Sequence, residues 1–167
     1  MPEYELAQVN IAVLRAPLDS PQIADFVASL EPINALAESS PGFIWRLTGD
    51  GDDATSVTGF EADHAGAGVI INMSVWASVE QLGDYVFGGE HLAVMRRRRE
   101  WFHRMESAYT ALWWVPAGRR PTVADAEERV ALLRAHGPTP AAFTLAKPFP
   151  APGGVPVQRV TETCPAG

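Results

Sequence analysis

Residues Val69 to Trp76 read VIINMSVW, and this run more than any other limits what the chain can fold into. In an extended strand Val69, Ile71, Met73 and Val75 share one face, while Ile70, Asn72, Ser74 and Trp76 share the other. A period of two is the mark of a strand laid on a sheet. Tyr4 to Leu14, YELAQVNIAVL, alternates in the same way. There Val9, Ile11 and Val13 lie on one face, and Gln8 and Asn10 lie on the other with Leu6 and Ala12. Two shorter runs, Phe43 to Leu47 (FIWRL) and Thr110 to Val115 (TALWWV), read as further strands.

Between these runs the apolar period changes to that of a helix. Pro21 to Ser39 carries Ile23, Phe26, Val27, Leu30, Ile33, Asn34 and Ala37 at helical spacing, with Asp19 or Ser20 as cap. Pro32 removes one backbone donor, so a kink or break is expected there. Ser78 caps a helix that Gly88 and Gly89 interrupt, and a second helical stretch is predicted from about Glu90 to Met105. Thr122 to Ala135 is an amphipathic helix with Thr122 as cap and acidic residues in its first turns. His136 beside Gly137 caps its C-terminus. Thr48 to Gly68 is a long loop, rich in glycine and acidic residues, of the kind that often forms a lid or binding loop. Ala142 to Leu145 is a short final strand, and the Pro/Gly-rich residues 147–167 are an irregular tail.

The order strand, helix, strand, strand, helix, strand is an α+β pattern: a ferredoxin-like sandwich on an antiparallel sheet, with a C-terminal helix and tail added. The domain is expected to span residues 1–146, with the tail at 147–167. The uniformly apolar strand faces (Val9, Ile11, Val69, Ile71, Val75) are expected to meet the helices. The mixed faces (Gln8, Asn10, Asn72, Ser74, Trp76) are then left for a second copy of the sheet.

Composition narrows the function classes. With 167 residues the chain suits one domain with a core of its own. The net charge of −7 argues against nucleic acid as a partner. A single cysteine, Cys164, gives no disulfide framework and no cysteine-based metal site. No run approaches a membrane span, and the first residues carry no secretion signal, so a cytoplasmic protein without a membrane partner is expected. The GAG at 66–68 precedes a strand, where a dinucleotide fingerprint would follow one. Glu61, Asp63 and His64 have no second histidine at matching spacing, so no metal is expected.

The run INMSVWASVEQLGDYVFGGEHLAVMRRRREWF, from Ile71 to Phe102, resembles the strand, Trp, Ser, helix, His, Arg-rich helix pattern of dimeric α/β-barrel proteins. That superfamily includes antibiotic-biosynthesis monooxygenases, polyketide cyclases and haem-handling enzymes. The fuller pattern, from LAQVNIA through LWWVPAG to HGPTPAAFT, resembles an uncharacterised bacterial domain family related to it. The resemblance implies the dimeric α/β-barrel fold, a homodimer and a histidine near the site, and no firm activity.

His91 opens the Arg-rich helix, with Met95, Arg98 and Phe102 on or near its face. It is a general base, an axial ligand if haem is bound, or a locally hydrogen-bonded structural residue. Arg96 to Arg99 turn about 100° per residue and cannot share a face. One or two of them, Arg98 first, are expected to turn inward beside His91 and bind a carboxylate or stabilise an enolate. The competing reading is a surface ion-pair network with Glu90, Glu100 and Glu106. Trp113 and Trp114 point to opposite faces of their strand, and Arg46, inside a short apolar strand, needs a carboxylate or a ligand.

The expected function is that of a small-molecule enzyme of the antibiotic-biosynthesis type. It would be a cofactor-independent monooxygenase, or a cyclase or isomerase, acting on an aromatic or polyketide-like metabolite. His91 is its base, Asn72 and Arg98 are donors to the oxyanion, and Tyr85 is an acid. Asn10, Arg46, Trp76, Trp113 and Phe102 bind substrate. The alternative is a non-catalytic dimeric protein that binds a ligand or haem. No cofactor is predicted for the first reading.

Overall fold

The alternating runs become strands β1 (Tyr4–Val13), β2 (Phe43–Arg46), β3 (Val69–Trp76) and β4 (Thr110–Pro116). In the computed structural model, which describes residues 2–51, 53–63 and 67–157, they form one antiparallel sheet in the order β2-β3-β1-β4. His64 and Cys164 lie outside the described residues. Register fixes which side chains share a face, because residues directly opposite one another point the same way. Asn10 lies between Asn72 and Thr110, and Gln8 between Ser74 and Leu112. Arg46 is opposite Ser74, which puts it on this face too.

The helices follow their caps. Ser20 accepts from the Gln22 backbone N–H and starts a 3-10 turn at Pro21–Ile23, which leads into α1 (Ala24–Ser39). The helix runs through the exposed Pro32 without a break, in contrast to a full interruption there. Ser78 caps α2 (Val79–Val86), and Gly88 opens α3 (Gly89–Arg96). Thr122 and Asp125 cap α5 (Val123–His136) reciprocally, and Gly137 ends it with a φ of 69°, a conformation suited to glycine.

The helix expected to reach Met105 stops earlier. α3 gives way to a single turn, α4 (Arg98–Trp101), after which Phe102 is extended. The cause is tertiary. The Arg15 N–H donates to the Trp101 carbonyl at 2.8 Å, and the His103 N–H donates to the Val13 carbonyl at 2.9 Å. Trp101 and Phe102 pack with Phe26, their ring centroids 5.6 and 4.9 Å from that of Phe26. Pairing with the end of β1 thus overrides a run of good helix formers. Ala142 to Leu145 likewise forms no strand. Phe143 alone bridges Leu112, through paired backbone bonds of 2.8 and 2.9 Å on the outer side of β4.

The two faces of the sheet are the reverse of the sequence expectation. The apolar face, carrying Val9, Ile11, Ile71, Met73 and Val75, packs under Ala126, Val130 and Leu133 of α5 and under Phe60 of the long loop. The mixed face looks toward α1, α2 and α3 across a cavity. It is therefore not an open surface for stacking a second sheet. The extra C-terminal helix packs Ala126, Val130 and Leu133 on the apolar face, while α1, set across the cavity, buries only Phe26 and Ala37. The long loop touches both layers. Asp53, Ala54 and Thr55 reach the cavity, while Val57 and Phe60 pack with the α5-side core. Among the described residues no helix is long and apolar enough to cross a membrane.

Candidate functional site

The cavity has a volume of about 350 Å³. That is near the lower end of the roughly 300–1,000 Å³ common for small-molecule sites. Its helical wall comes from α1, where Phe26, Leu30, Ile33 and Asn34 recur at helical spacing, and from Tyr85, His91, Val94 and Arg98. Its floor is the mixed face of the sheet.

Seven of the nine expected site residues line this space: Asn10, Arg46, Asn72, Tyr85, His91, Arg98 and Phe102. Trp76 and Trp113 do not. Trp76 is fully buried behind Tyr85, the two rings stacked at 5.0 Å and 25°. It supports the wall without forming it. Trp113 is directly opposite Ala7, on the face buried by α5, and belongs to that core. The register instead puts Trp114, opposite Leu6, on the face of Asn10 and Asn72.

His91 is held by its own segment. Its Nδ1 lies 2.9 Å from the Val86 carbonyl oxygen. A carbonyl only accepts, so Nδ1 carries the proton and Nε2 keeps its lone pair. Burial lowers the imidazole pKa from 6.5, against the opposing pull of the Val86 hydrogen bond. At neutral pH the ring is uncharged, with one basic nitrogen free of that bond. Tyr85 packs on it at 4.7 Å between centroids, and burial pushes the phenol up to about 12. Tyr85 is therefore a neutral hydrogen-bonding group across the physiological range.

The four arginines separate as helix geometry demands. Arg96, Arg97 and Arg99 are exposed, and Arg98 is half-buried against the cavity. Arg97 is paired with Asp25 and Glu100, each at 2.7 Å. Arg98 has no ion-pair partner among the described residues. Its Nη1 donates to the Tyr109 hydroxyl at 3.3 Å, and its Cζ sits 4.6 Å from the centre of that ring. Arg46 finds the carboxylate it needed in Glu38, at 2.7 Å.

On the floor, Gln8 Nε2 donates to Asn72 Oδ1 at 3.0 Å and to Ser74 Oγ at 2.8 Å, and Ser74 Oγ also accepts from Trp76 Nε1 at 2.8 Å. This network anchors Asn72, whose side chain is open to the cavity. Asn10 Nδ2 donates to Thr110 Oγ1 at 2.7 Å. Gln8, Tyr109 and Thr110 were not among the expected site residues. The alternation of β1 already put Gln8 beside Asn10, but Tyr109 precedes a strand and is brought to Arg98 only by the early end of the helix. Asp63, considered above with His64, pairs with Arg134 at 2.9 Å.

Residues 5–159 match the domain of unknown function DUF3291, and the chain belongs to that family. A crystal structure of a Nitrosomonas europaea protein of unknown function is similar over 72% of this chain and 97% of its own, with 17% sequence identity and a TM-score of 0.42. No curated protein matches the chain.

Proposed function

We propose that the cavity is the active site of a small-molecule enzyme that works by proton transfer from carbon, with His91 as general base. The observation that carries this reading is the state of His91. It lines a largely apolar cavity, burial disfavours its charged form, and its Nδ1 proton is committed to Val86. A neutral imidazole with a basic Nε2 suits removal of a proton next to a carbonyl or from a phenol. The resulting oxyanion would be met by donors from Asn72 and Arg98, with Tyr85 as a neutral donor. Such chemistry belongs to a cyclase or isomerase. Where the carbanion itself reduces oxygen, it belongs to a cofactor-independent monooxygenase acting on an aromatic or polyketide-like metabolite. The element succession and the β2-β3-β1-β4 order support the ferredoxin-like, dimeric α/β-barrel relationship behind that choice. A homodimer fits the proposal with one restriction. Both sheet faces are covered within the chain, so the partner would dock elsewhere than on a bare sheet face.

The test is deuterium incorporation into enolisable 1,3-dicarbonyl and hydroxyaromatic probes in D₂O, followed by NMR, with an oxygen electrode in parallel. The protein should accelerate exchange, and His91→Ala should abolish the acceleration. Equal exchange by His91→Ala and the unmodified chain would sink the assignment. Oxygen uptake would select the monooxygenase form. A second reading, a non-catalytic haem-binding protein, uses the same free Nε2 as axial ligand. A Soret band on adding haem, lost in His91→Ala, would select it.

A further inference from the structure

The cations around this cavity differ in how they are neutralised. Arg46 is paired with Glu38, and Arg97, one residue before Arg98, takes both nearby carboxylates, Asp25 and Glu100. Asp53 also lines the cavity, but its Oδ1 accepts from the Thr55 backbone N–H and hydroxyl at 2.9 and 2.6 Å. That leaves Arg98 with one hydrogen bond, to Tyr109, and no ion pair among the described residues. The guanidinium carries five N–H donors. Half-burying it without an anion is costly unless a ligand completes it. The Tyr109 ring and hydroxyl hold the group in one orientation, with most of its donors unspent.

We infer that the ligand of this cavity is a small carboxylate with an apolar body, anchored through its carboxylate by Arg98. The apolar part fits the remaining wall, built from Phe26, Leu30, Ile33, Ile70 and Val94. A planar guanidinium matches a carboxylate with two parallel hydrogen bonds, which a lysine ammonium cannot reproduce. Tyr109 is a positioning residue in this scheme. The inference rests on the reading of this cavity as the functional site and adds the substrate class to it.

The experiment compares phenylacetate and octanoate with phenylacetamide and octanamide at low ionic strength. Binding is read by calorimetry and by tryptophan fluorescence, since Trp101 lines the cavity. The carboxylates should bind about tenfold or more tightly than their amides, as expected for charge-assisted hydrogen bonds. Arg98→Gln should erase that preference while amide affinity is kept, and Arg98→Lys should retain part of it. Tyr109→Phe should reduce it, having lost the hydroxyl contact but kept the ring. If Arg98→Gln does not fold, the graded loss across Arg98→Lys and Tyr109→Phe decides the matter. Equal binding of acids and amides, no binding of either acid, or a preference that survives these changes overturns the inference. His91→Ala should leave the carboxylate preference intact. A preserved preference without His91-dependent exchange would therefore break the catalytic proposal and leave the ligand class standing.

Discussion

The two faces of one sheet have been put to opposite uses. Under α5, the strands present Val9, Ile11, Met73, Val75 and Trp113, all nearly inaccessible to solvent, to a helix that meets them with Ala126, Val130 and Leu133. Under α1 to α3, the same strands present Gln8, Asn10, Asn72 and Ser74, and the space between is a cavity. The α5 side is one continuous core, whereas on the other side two smaller clusters, around Trp76 and around Phe26, flank the cavity. The mixed face is then free to keep polar groups that a close-packed layer could not accommodate. A layer added late in the chain makes this division possible.

The contrast can be broken most forcefully at Trp113. Trp113→Ala should cost about 3–5 kcal/mol of unfolding free energy in a denaturant titration, with ligand binding by the folded fraction unchanged. A comparable loss of binding would mean that the faces are not independent. Ser74→Ala comes next. It leaves Gln8 Nε2 and Trp76 Nε1 without their common acceptor, at a cost of about 1–3 kcal/mol. It should also loosen the Gln8 contact with Asn72, so stability and turnover should both fall. Asn72→Ala should show the opposite balance: a stability change within about 0.5 kcal/mol, because its side chain is open to the cavity, and a clear loss of turnover. A large stability loss there would make Asn72 a structural residue.

The remaining tests vary pH. Burial lowers the His91 pKa in the folded state, so below its ordinary 6.5 the unfolded chain binds a proton that the folded chain refuses. Stability should fall as pH drops from 6.5 through the folded-state value and should not depend on this group above 6.5. The activity assigned to neutral His91 should fall in acid for the same reason, with its midpoint below 6.5. Tyr85 acts at the other end. Its folded-state value of about 12 exceeds the ordinary 10, so stability should decline between those two values, and Tyr85→Phe should remove that decline.

Period-two alternation was enough to place β3 at its observed bounds; the caps Ser78 and Thr122 were readable as short polar side chains before helical runs, and Ser20 was one of two candidates, with Asp19, for the first. Helix rotation left one or two of the four arginines able to face inward, with Arg98 first among them, and Arg98 is the one that lines the cavity. What could not be read was the third layer. Alternation reports that a strand has two faces, but not which helix will cover either one. The more apolar face went to α5, and Trp113 went with it. The end of α4 was hidden for a related reason. Nothing local between Trp101 and Met105 breaks a helix; the break comes from Val13 and Arg15, nearly 90 residues earlier in the chain.

Phe143 adds a protective role to the C-terminal segment. A strand at the border of a sheet offers a row of unused backbone groups to any other chain in solution. On β4, Leu112 has both of its outward groups taken by Phe143, and Trp114 donates its indole N–H to the Phe149 carbonyl at 2.9 Å. With Phe143 and Phe149 in ring contact at 5.9 Å, the segment lies along that border as a guard. Trimming it would turn β4 into a site for self-association, and would also take Leu145 from the cavity lining and Phe143 from behind Trp76.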